Sequence, residues 1–112
     1  MTQVISRAPV RVRVRFFAGL ADAARLALLD VLGDGERTVG EAAAVAGLSP
    51  SNASKHLACL RECGLVESRQ DWRHVYYRLA DGVSPMLAAT DAFIDRVTER
   101  IAARQRPEMP PA

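Results

Sequence analysis

Residues 47–66 constrain the fold of this chain more than any other segment, because they contain the start and stop signals of a helix. Gly47 can adopt the positive φ that ends a preceding helix, Ser49 can cap the next helix, and Pro50 suits its first position, where no N–H is needed. Gly64 can end this second helix. Two short helices joined by a tight turn predict a helix-turn-helix, and its second helix is called the reading helix below.

The two faces of the reading helix differ in a way that indicates contact with nucleic acid. One face is apolar at about 100° per residue and consists of Ala53, Leu57 and Leu60. The helix start and the other face have short polar side chains and the single lysine of the chain: Ser51, Asn52, Ser54 and Lys55. Such side chains approach a groove closely and can bind phosphates and base edges, so we predict that they contact DNA. An ordinary amphipathic surface helix is the alternative interpretation.

Two extended runs follow the reading helix. Residues 65–69 and 74–79 are rich in β-branched and aromatic side chains, and residues 70–73 supply a turn between them. We predict a two-stranded hairpin, called the wing below, which must pack on the helices because an isolated hairpin is marginally stable. Three side chains near its tip are candidates for phosphate contact: Arg69, Arg73 and His74.

Four blocks of the sequence resemble, in order and spacing, those of a known family: residues 20–29, residues 51–57 with Leu60, residues 64–66 and residues 73–79. They are similar to the ArsR/SmtB family of small dimeric winged-helix repressors of bacteria, many of which sense metal ions. The resemblance covers roughly residues 14–104. It implies a mainly α fold of about five helices plus a two-stranded wing. It also implies a DNA-binding transcriptional repressor, not an enzyme, that binds a near-palindromic operator as a homodimer.

Length and composition indicate one domain. A chain of 112 residues with 49% hydrophobic content can form one modest core, and a net charge of +2 means that a DNA-binding surface requires clustered charge. We predict a flexible arm over residues 1–13, a winged helix-turn-helix domain for DNA binding and dimerisation over residues 14–104, and a disordered tail over residues 105–112. The sequence has no apolar run of the ~20 residues of a membrane span and no signal-peptide core, so we expect a cytoplasmic protein.

The ends of the predicted domain indicate a homodimer. Residues 84–104 have apolar positions at helical spacing: Leu87, Thr90, Phe93, Ile94, Val97 and Ile101. Residues 10–17 alternate between apolar and basic side chains and pass into a helical pattern through Leu20. A core this small cannot cover two amphipathic terminal helices, so we expect them to pack against a second copy. The alternative is a monomer whose terminal helices fold onto its own core.

The two cysteines of the chain, Cys59 and Cys63, lie one turn apart on the predicted reading helix. They resemble the cysteine pair of the cadmium- and lead-sensing branch of the family, which implies control by a divalent ion such as Zn²⁺, Cd²⁺, Pb²⁺ or Ni²⁺. Thiolates select soft and borderline ions, and His56 on the same stripe could add a nitrogen ligand. Three alternatives remain. The cysteines could only fill space in the core, with DNA binding controlled by a protein partner or by abundance. DNA binding could instead be controlled through thiol chemistry, or the chain could be a thiol-dependent enzyme.

The chain departs from the family pattern at several positions. The cadmium-sensing branch takes a third cysteine from its C-terminal region, and this chain has none. Another family site uses Cys-x-Cys before the reading helix, where this chain has Thr38 and Gly40, and a third needs a histidine where this chain has Phe93. Family wings often have glycine at the turn position of Trp72, so we expect a different turn here.

Overall fold

The computed structural model describes residues 8–105, within two compact units formed by Met1–Ala80 and Asp81–Ala112. The described residues form five helices and three strands, in the order α1 (Val10–Leu20), α2 (Ala23–Gly33), β1 (Arg37–Thr38), α3 (Val39–Ala46), α4 (Pro50–Glu62), β2 (Val66–Asp71), β3 (His74–Leu79) and α5 (Val83–Gln105). The predicted helix-turn-helix corresponds to α3 and α4, so α4 is the reading helix.

The wing belongs to a larger sheet than the sequence predicted. β2 and β3 pair antiparallel along their whole length, which leaves only Trp72 and Arg73 for the turn. β1 lies on the other side of β3, opposite Tyr76 and Tyr77, and the strand order is β1–β3–β2. The predicted two-stranded hairpin is therefore confirmed, and β1 adds a third strand that the sequence did not predict. A strand of two residues has no periodic pattern that a sequence could reveal.

The turn of the wing has an unusual backbone conformation. Trp72 has a φ of 58°, in the left-handed region where a side chain is strained and glycine is favoured. Trp72 thus adopts a conformation that glycine favours, so its presence does not require the different turn that the sequence predicted.

The core of the first unit lies where α2, α3 and α4 meet the sheet. Its largest fully buried side chains are Leu28, Leu29, Leu57, Leu60, Leu65 and Val66. The apolar stripe predicted for the reading helix is confirmed, because Ala53, Leu57 and Leu60 are each 0% exposed. Burial of this stripe fixes which face of α4 remains in solvent.

The first helix is longer than the sequence indicated. α1 begins at Val10, so residues 10–13, which the sequence placed in a flexible arm, are helical. In a helix, positions four and three apart share a face, and the apolar positions of the alternating segment therefore form an exposed stripe: Val10, Val14 and Phe17. Residues 1–7 of the predicted arm and residues 106–112 of the predicted tail lie outside the described part of the chain.

The second unit consists of α5 in its described part. This single helix of 23 residues exposes Phe93, Ile94 and Ile101 by 55%, 48% and 49%. Three members of the predicted dimerisation stripe are therefore accessible to a partner. Among the residues described, no helix combines the length and the apolar character that crossing a membrane requires.

Candidate nucleic-acid interface and thiol pair

The start of α4 is fixed by local hydrogen bonds. Gly47 ends α3 with a φ of 72°, and the N–H of Leu48 donates to the carbonyl of Ala43 at 2.9 Å. The hydroxyl of Ser49 accepts from the backbone N–H of Asn52 at 3.2 Å. These contacts satisfy groups that a helix end otherwise leaves without partners, and they set where α3 ends and α4 begins.

The end of α4 is fixed in a similar way. Gly64 has a φ of 79°, and its N–H donates to the carbonyl of Arg61 at 3.0 Å. The N–H of Leu65 donates to the carbonyl of Leu60 at 2.9 Å, which completes a Schellman motif. The helix therefore ends at Glu62, and Cys63 occupies the C-cap. The prediction that both cysteines lie on the reading helix was wrong by one residue.

The solvent face of α4 consists of the side chains that the sequence singled out. All four predicted DNA contacts on this helix are exposed: Ser51, Asn52, Ser54 and Lys55. Within residues 8–105 Lys55 forms no ion pair. A cation between short polar side chains is thus accessible to an approaching anion.

The tip of the wing exposes a cation and an indole ring together. The guanidinium of Arg73 lies 4.6 Å from the centre of the Trp72 ring, and Trp72 is 78% exposed. The ring of His74 lies 6.2 Å from that of Tyr76 in an edge-on arrangement, and both Arg73 and His74 are exposed. These two predicted contacts therefore lie at an accessible tip.

Arg69 has an environment that the sequence did not predict. Its Nε and Nη2 donate to the two carboxylate oxygens of Glu36 at 2.9 Å and 2.7 Å. Its Nη1 lies 3.7 Å from a carboxylate oxygen of Asp71, and its guanidinium lies 4.5 Å from the Tyr76 ring. The hydrogen bonds with Arg69 hold the pKa of Glu36 below its usual value and raise the pKa of Arg69. The third wing candidate is thus already paired.

Cys63 lies against α1. Its Sγ is 4.0 Å from the backbone carbonyl of Arg15, and a Cβ on Gly19 would lie 3.0 Å from the same sulfur, so glycine permits this approach. A cavity of about 480 Å³ adjoins the thiol and is lined by Val12, Arg15, Phe16, Glu62 and Cys63. Burial raises the pKa of Cys63, and the adjacent Cys59 raises it further. The thiol therefore favours its protonated form.

Arg25 connects three elements near the thiol pair. Its Nε and Nη2 donate to the carbonyls of Gly19 and Ala18, at 2.8 Å and 3.1 Å, at the end of α1. Its Nη1 lies 3.5 Å from Nδ1 of His56 on the reading helix. The predicted nitrogen ligand His56 is therefore next to a guanidinium.

The thiol pair does not belong to a larger ligand cluster. Between residues 8 and 105, no three histidine, cysteine or acidic side chains come together as a metal ion would require. Cys59 and Cys63 are adjacent and form no disulfide, but the structure does not bring His56 into a group with them. The described chain offers at most two neighbouring sulfur ligands.

Comparison with known proteins gives consistent matches. Residues 22–68 match the family described as bacterial regulatory protein, arsR family. The chain is 39% identical over 103 residues to the HTH-type transcriptional regulator CmtR of Mycobacterium tuberculosis, which covers 85% of this chain and 87% of CmtR. It is 45% identical over 67 residues to the probable mercury resistance operon repressor of Streptomyces lividans. That match covers 60% of this chain and 54%, about half, of the repressor.

Several solved structures have the same architecture as this chain. The homodimeric winged helix-turn-helix DNA-binding domain of Mb0332 from Mycobacterium bovis, a possible ArsR-family regulator, matches with a TM-score of 0.74 and 31% identity. This match covers 86% of this chain and 95% of that domain. The NMR structure of the cadmium metal-sensor CmtR from Mycobacterium tuberculosis matches with a TM-score of 0.59 and 43% identity, over 68% of this chain and 80% of CmtR. The winged helix-turn-helix fold predicted from the sequence is confirmed.

Proposed function

The chain belongs to the ArsR family of bacterial regulatory proteins, and we propose on that basis that it represses transcription by binding a near-palindromic operator as a homodimer. Its winged-helix fold is that of DNA-binding transcriptional regulators. The observation that carries the proposal is the exposed polar face of α4, which lies opposite a fully buried stripe and between two fixed helix ends. A recognition helix needs such a face to enter the major groove.

The proposed interface has two parts. The first is the solvent face of the reading helix, with Ser51, Asn52, Ser54 and Lys55. The second is the wing, with Arg69, Arg73 and His74. Hydroxyl and amide groups can bind base edges and phosphates, whereas the cations bind the phosphate backbone. The net charge of +2 suits this division, because affinity then depends on a few clustered charges.

The first prediction tests the reading helix. Changing Lys55 to alanine should weaken binding to duplex DNA by a similar factor for all sequences, because a phosphate contact has no base preference. The slope of log affinity against log salt should fall by about one unit. Fluorescence anisotropy over a series of salt concentrations measures both quantities.

Arg61 provides the matched control for Lys55. It lies at the other end of α4, where its guanidinium donates to the Ser68 hydroxyl at 3.1 Å. Arg61→Ala removes the same charge from the same helix and should leave the salt slope closer to that of the unmodified protein. Equal slopes for all three proteins would exclude Lys55 from the interface.

The proposed homodimer is supported by exposed apolar surface. Two apolar surfaces are exposed to water and would be stabilised by burial in an interface. They are the stripe on α1, with Val10, Val14 and Phe17, and the exposed side chains on α5, with Phe93, Ile94 and Ile101. The related Mb0332 domain is homodimeric. Two copies would present two reading helices, which explains why the operator should be near-palindromic.

A second proposal is that a soft divalent ion controls DNA binding through Cys59 and Cys63. CmtR is described as a cadmium sensor, and another relative as a probable mercury resistance repressor. The donor set fits such an ion in part, because two adjacent thiols supply two sulfur ligands. A tetrahedral site for Zn²⁺ or Cd²⁺ needs two more donors, from water, a displaced His56 or a second copy. Control by a protein partner or by abundance is the alternative.

The position of Cys63 suggests how an ion would act. Its S–H lies 4.0 Å from the Arg15 carbonyl of α1, and a thiolate could not donate to that oxygen. Deprotonation on binding would therefore weaken the contact between α1 and the end of the reading helix. We expect α1 to change its packing, which would link the thiols to the proposed dimer surface.

The second prediction tests the thiols. Titration with Cd²⁺ should produce a sulfur-to-metal charge-transfer band in the near ultraviolet, which the Cys59→Ser, Cys63→Ser double variant lacks. Because burial raises the pKa of Cys63, the ion must displace a firmly held proton, and affinity should fall as the pH decreases. Absence of the band, or an unchanged metal response in the double variant, would leave the cysteines as packing residues.

A further inference from the structure

The contact between Arg69 and Glu36 uses the same geometry by which arginine binds phosphate. A guanidinium presents parallel N–H groups that match two oxygens of a carboxylate or a phosphate. In the free protein both of these donors are directed at Glu36, at 2.9 Å and 2.7 Å. The side chain of Arg69 is 53% exposed and that of Glu36 is 29% exposed, so water and other anions can reach the pair.

Arg69 lies close enough to the tip of the wing to take part in DNA binding. It is opposite Tyr76 in the sheet, two residues before the end of β2 at Asp71. At about 3.3 Å per residue, its Cα is about 7 Å from that of Asp71, and an extended arginine spans a similar distance. A phosphate held at the tip by Arg73 would thus be within reach of an Arg69 that had left Glu36.

The ion pair between Arg69 and Glu36 can open while Arg69 keeps its other contacts. The guanidinium also lies 4.5 Å from the Tyr76 ring, and its Nη1 lies 3.7 Å from a carboxylate oxygen of Asp71; neither contact depends on Glu36. Water reaches both partners of this ion pair and can solvate the two charges once they separate. An exchange of the carboxylate for a phosphate replaces one two-oxygen contact of the guanidinium with another.

We propose that Glu36 limits the DNA affinity of the wing. In the free protein its carboxylate accepts from the two N–H groups of Arg69 that bind a backbone phosphate in the complex. This inference rests on the proposed DNA-binding function. Glu36 is then a positioning residue, which acts on DNA only through Arg69. Its carboxylate returns to solvent when DNA binds.

The test is a double-mutant cycle on duplex DNA of random sequence, read by fluorescence anisotropy over a salt series. Glu36→Gln keeps the shape of the side chain and removes its charge. We expect DNA affinity to rise by about threefold to fivefold at low salt. The salt slope should stay the same, because Arg69 binds a phosphate in the complexes of both proteins. In an Arg69→Ala background the same substitution should have no effect on affinity or slope.

Glu67 supplies the matched control. It pairs with Arg78 between β2 and β3 and is also exposed, so Glu67→Gln removes an equal charge two residues from Arg69 along β2. The inference is overturned if both glutamine variants raise affinity equally, or if the gain persists without Arg69. A loss of affinity also overturns it, because Glu36 would then only stabilise the wing.

Lys55→Ala in the same assay separates DNA binding by the protein from the role of Glu36. If Lys55→Ala lowers the salt slope while Glu36→Gln leaves the DNA affinity unchanged, the DNA-binding function is supported and the role of Glu36 is refuted. If the unmodified protein does not bind duplex DNA, the proposed function and the role of Glu36 are both refuted. Thermal melting of each variant confirms that the compared proteins are folded.

Discussion

Replacing Val14 and Phe17 together with glutamate is expected to give monomers. Affinity for an operator with two half-sites should then fall by about 100-fold or more, because the two reading helices no longer bind as one unit. The two side chains are 61% and 63% exposed on α1, in the stripe that we propose is covered by a second copy. A carboxylate within that contact would lose its water without gaining a partner. Light scattering measures the mass, and anisotropy on DNA with one or two half-sites measures the loss.

A control for this result is available on α3. Val45 is also an exposed apolar side chain, at 61%, so Val45→Glu adds one carboxylate outside the proposed contact and should leave the dimer mass unchanged. Substituting Ile94 and Ile101 with glutamate should also yield monomers if α5 belongs to the interface. A monomer mass for the unmodified protein would refute the proposed assembly.

The second large effect concerns stability. Leu60→Ala should lower the free energy of unfolding by about 2–5 kcal/mol, because it leaves a cavity at the centre of the first unit. Leu60 is 0% exposed, and its carbonyl also accepts the hydrogen bond from Leu65 that ends the reading helix. A typical domain has only about 5–15 kcal/mol of stability, so a substantial part of the total would be lost.

Urea denaturation followed by circular dichroism measures this change. Leu26→Ala is the control, since Leu26 is 44% exposed on α2 and the same substitution there should cost about 1 kcal/mol or less. If the two variants unfold at similar urea concentrations, the core is not centred on the buried face of α4.

The sequence predicted those parts of the fold that local chemistry determines. Gly47, Ser49 and Pro50 each satisfy a backbone requirement within one turn of their own position, and the start of α4 followed from them. The apolar spacing of Ala53, Leu57 and Leu60 likewise identified the buried face. These signals need no knowledge of the rest of the molecule.

Other features depend on partners that are distant in the chain. Glu36 and Arg69 are 33 residues apart, and nothing near either residue indicates the pair. β1 exists only because β3 provides its hydrogen-bonding partner. The alternation from Val10 to Phe17 suits a strand as well as a helix over so short a distance, and the structure resolves it as a helix. The seven predicted DNA contacts remain proposals, of which Arg69 needs an exchange of partners.

The exposed position of Lys55 also offers a way to footprint the interface chemically. Lys55 is the only side-chain primary amine in the chain, so an activated ester has a single lysine to acylate. The product is a neutral amide in the middle of the solvent face of α4. A duplex seated on that face would slow the acylation, and the mass of one peptide would report occupancy without any substitution.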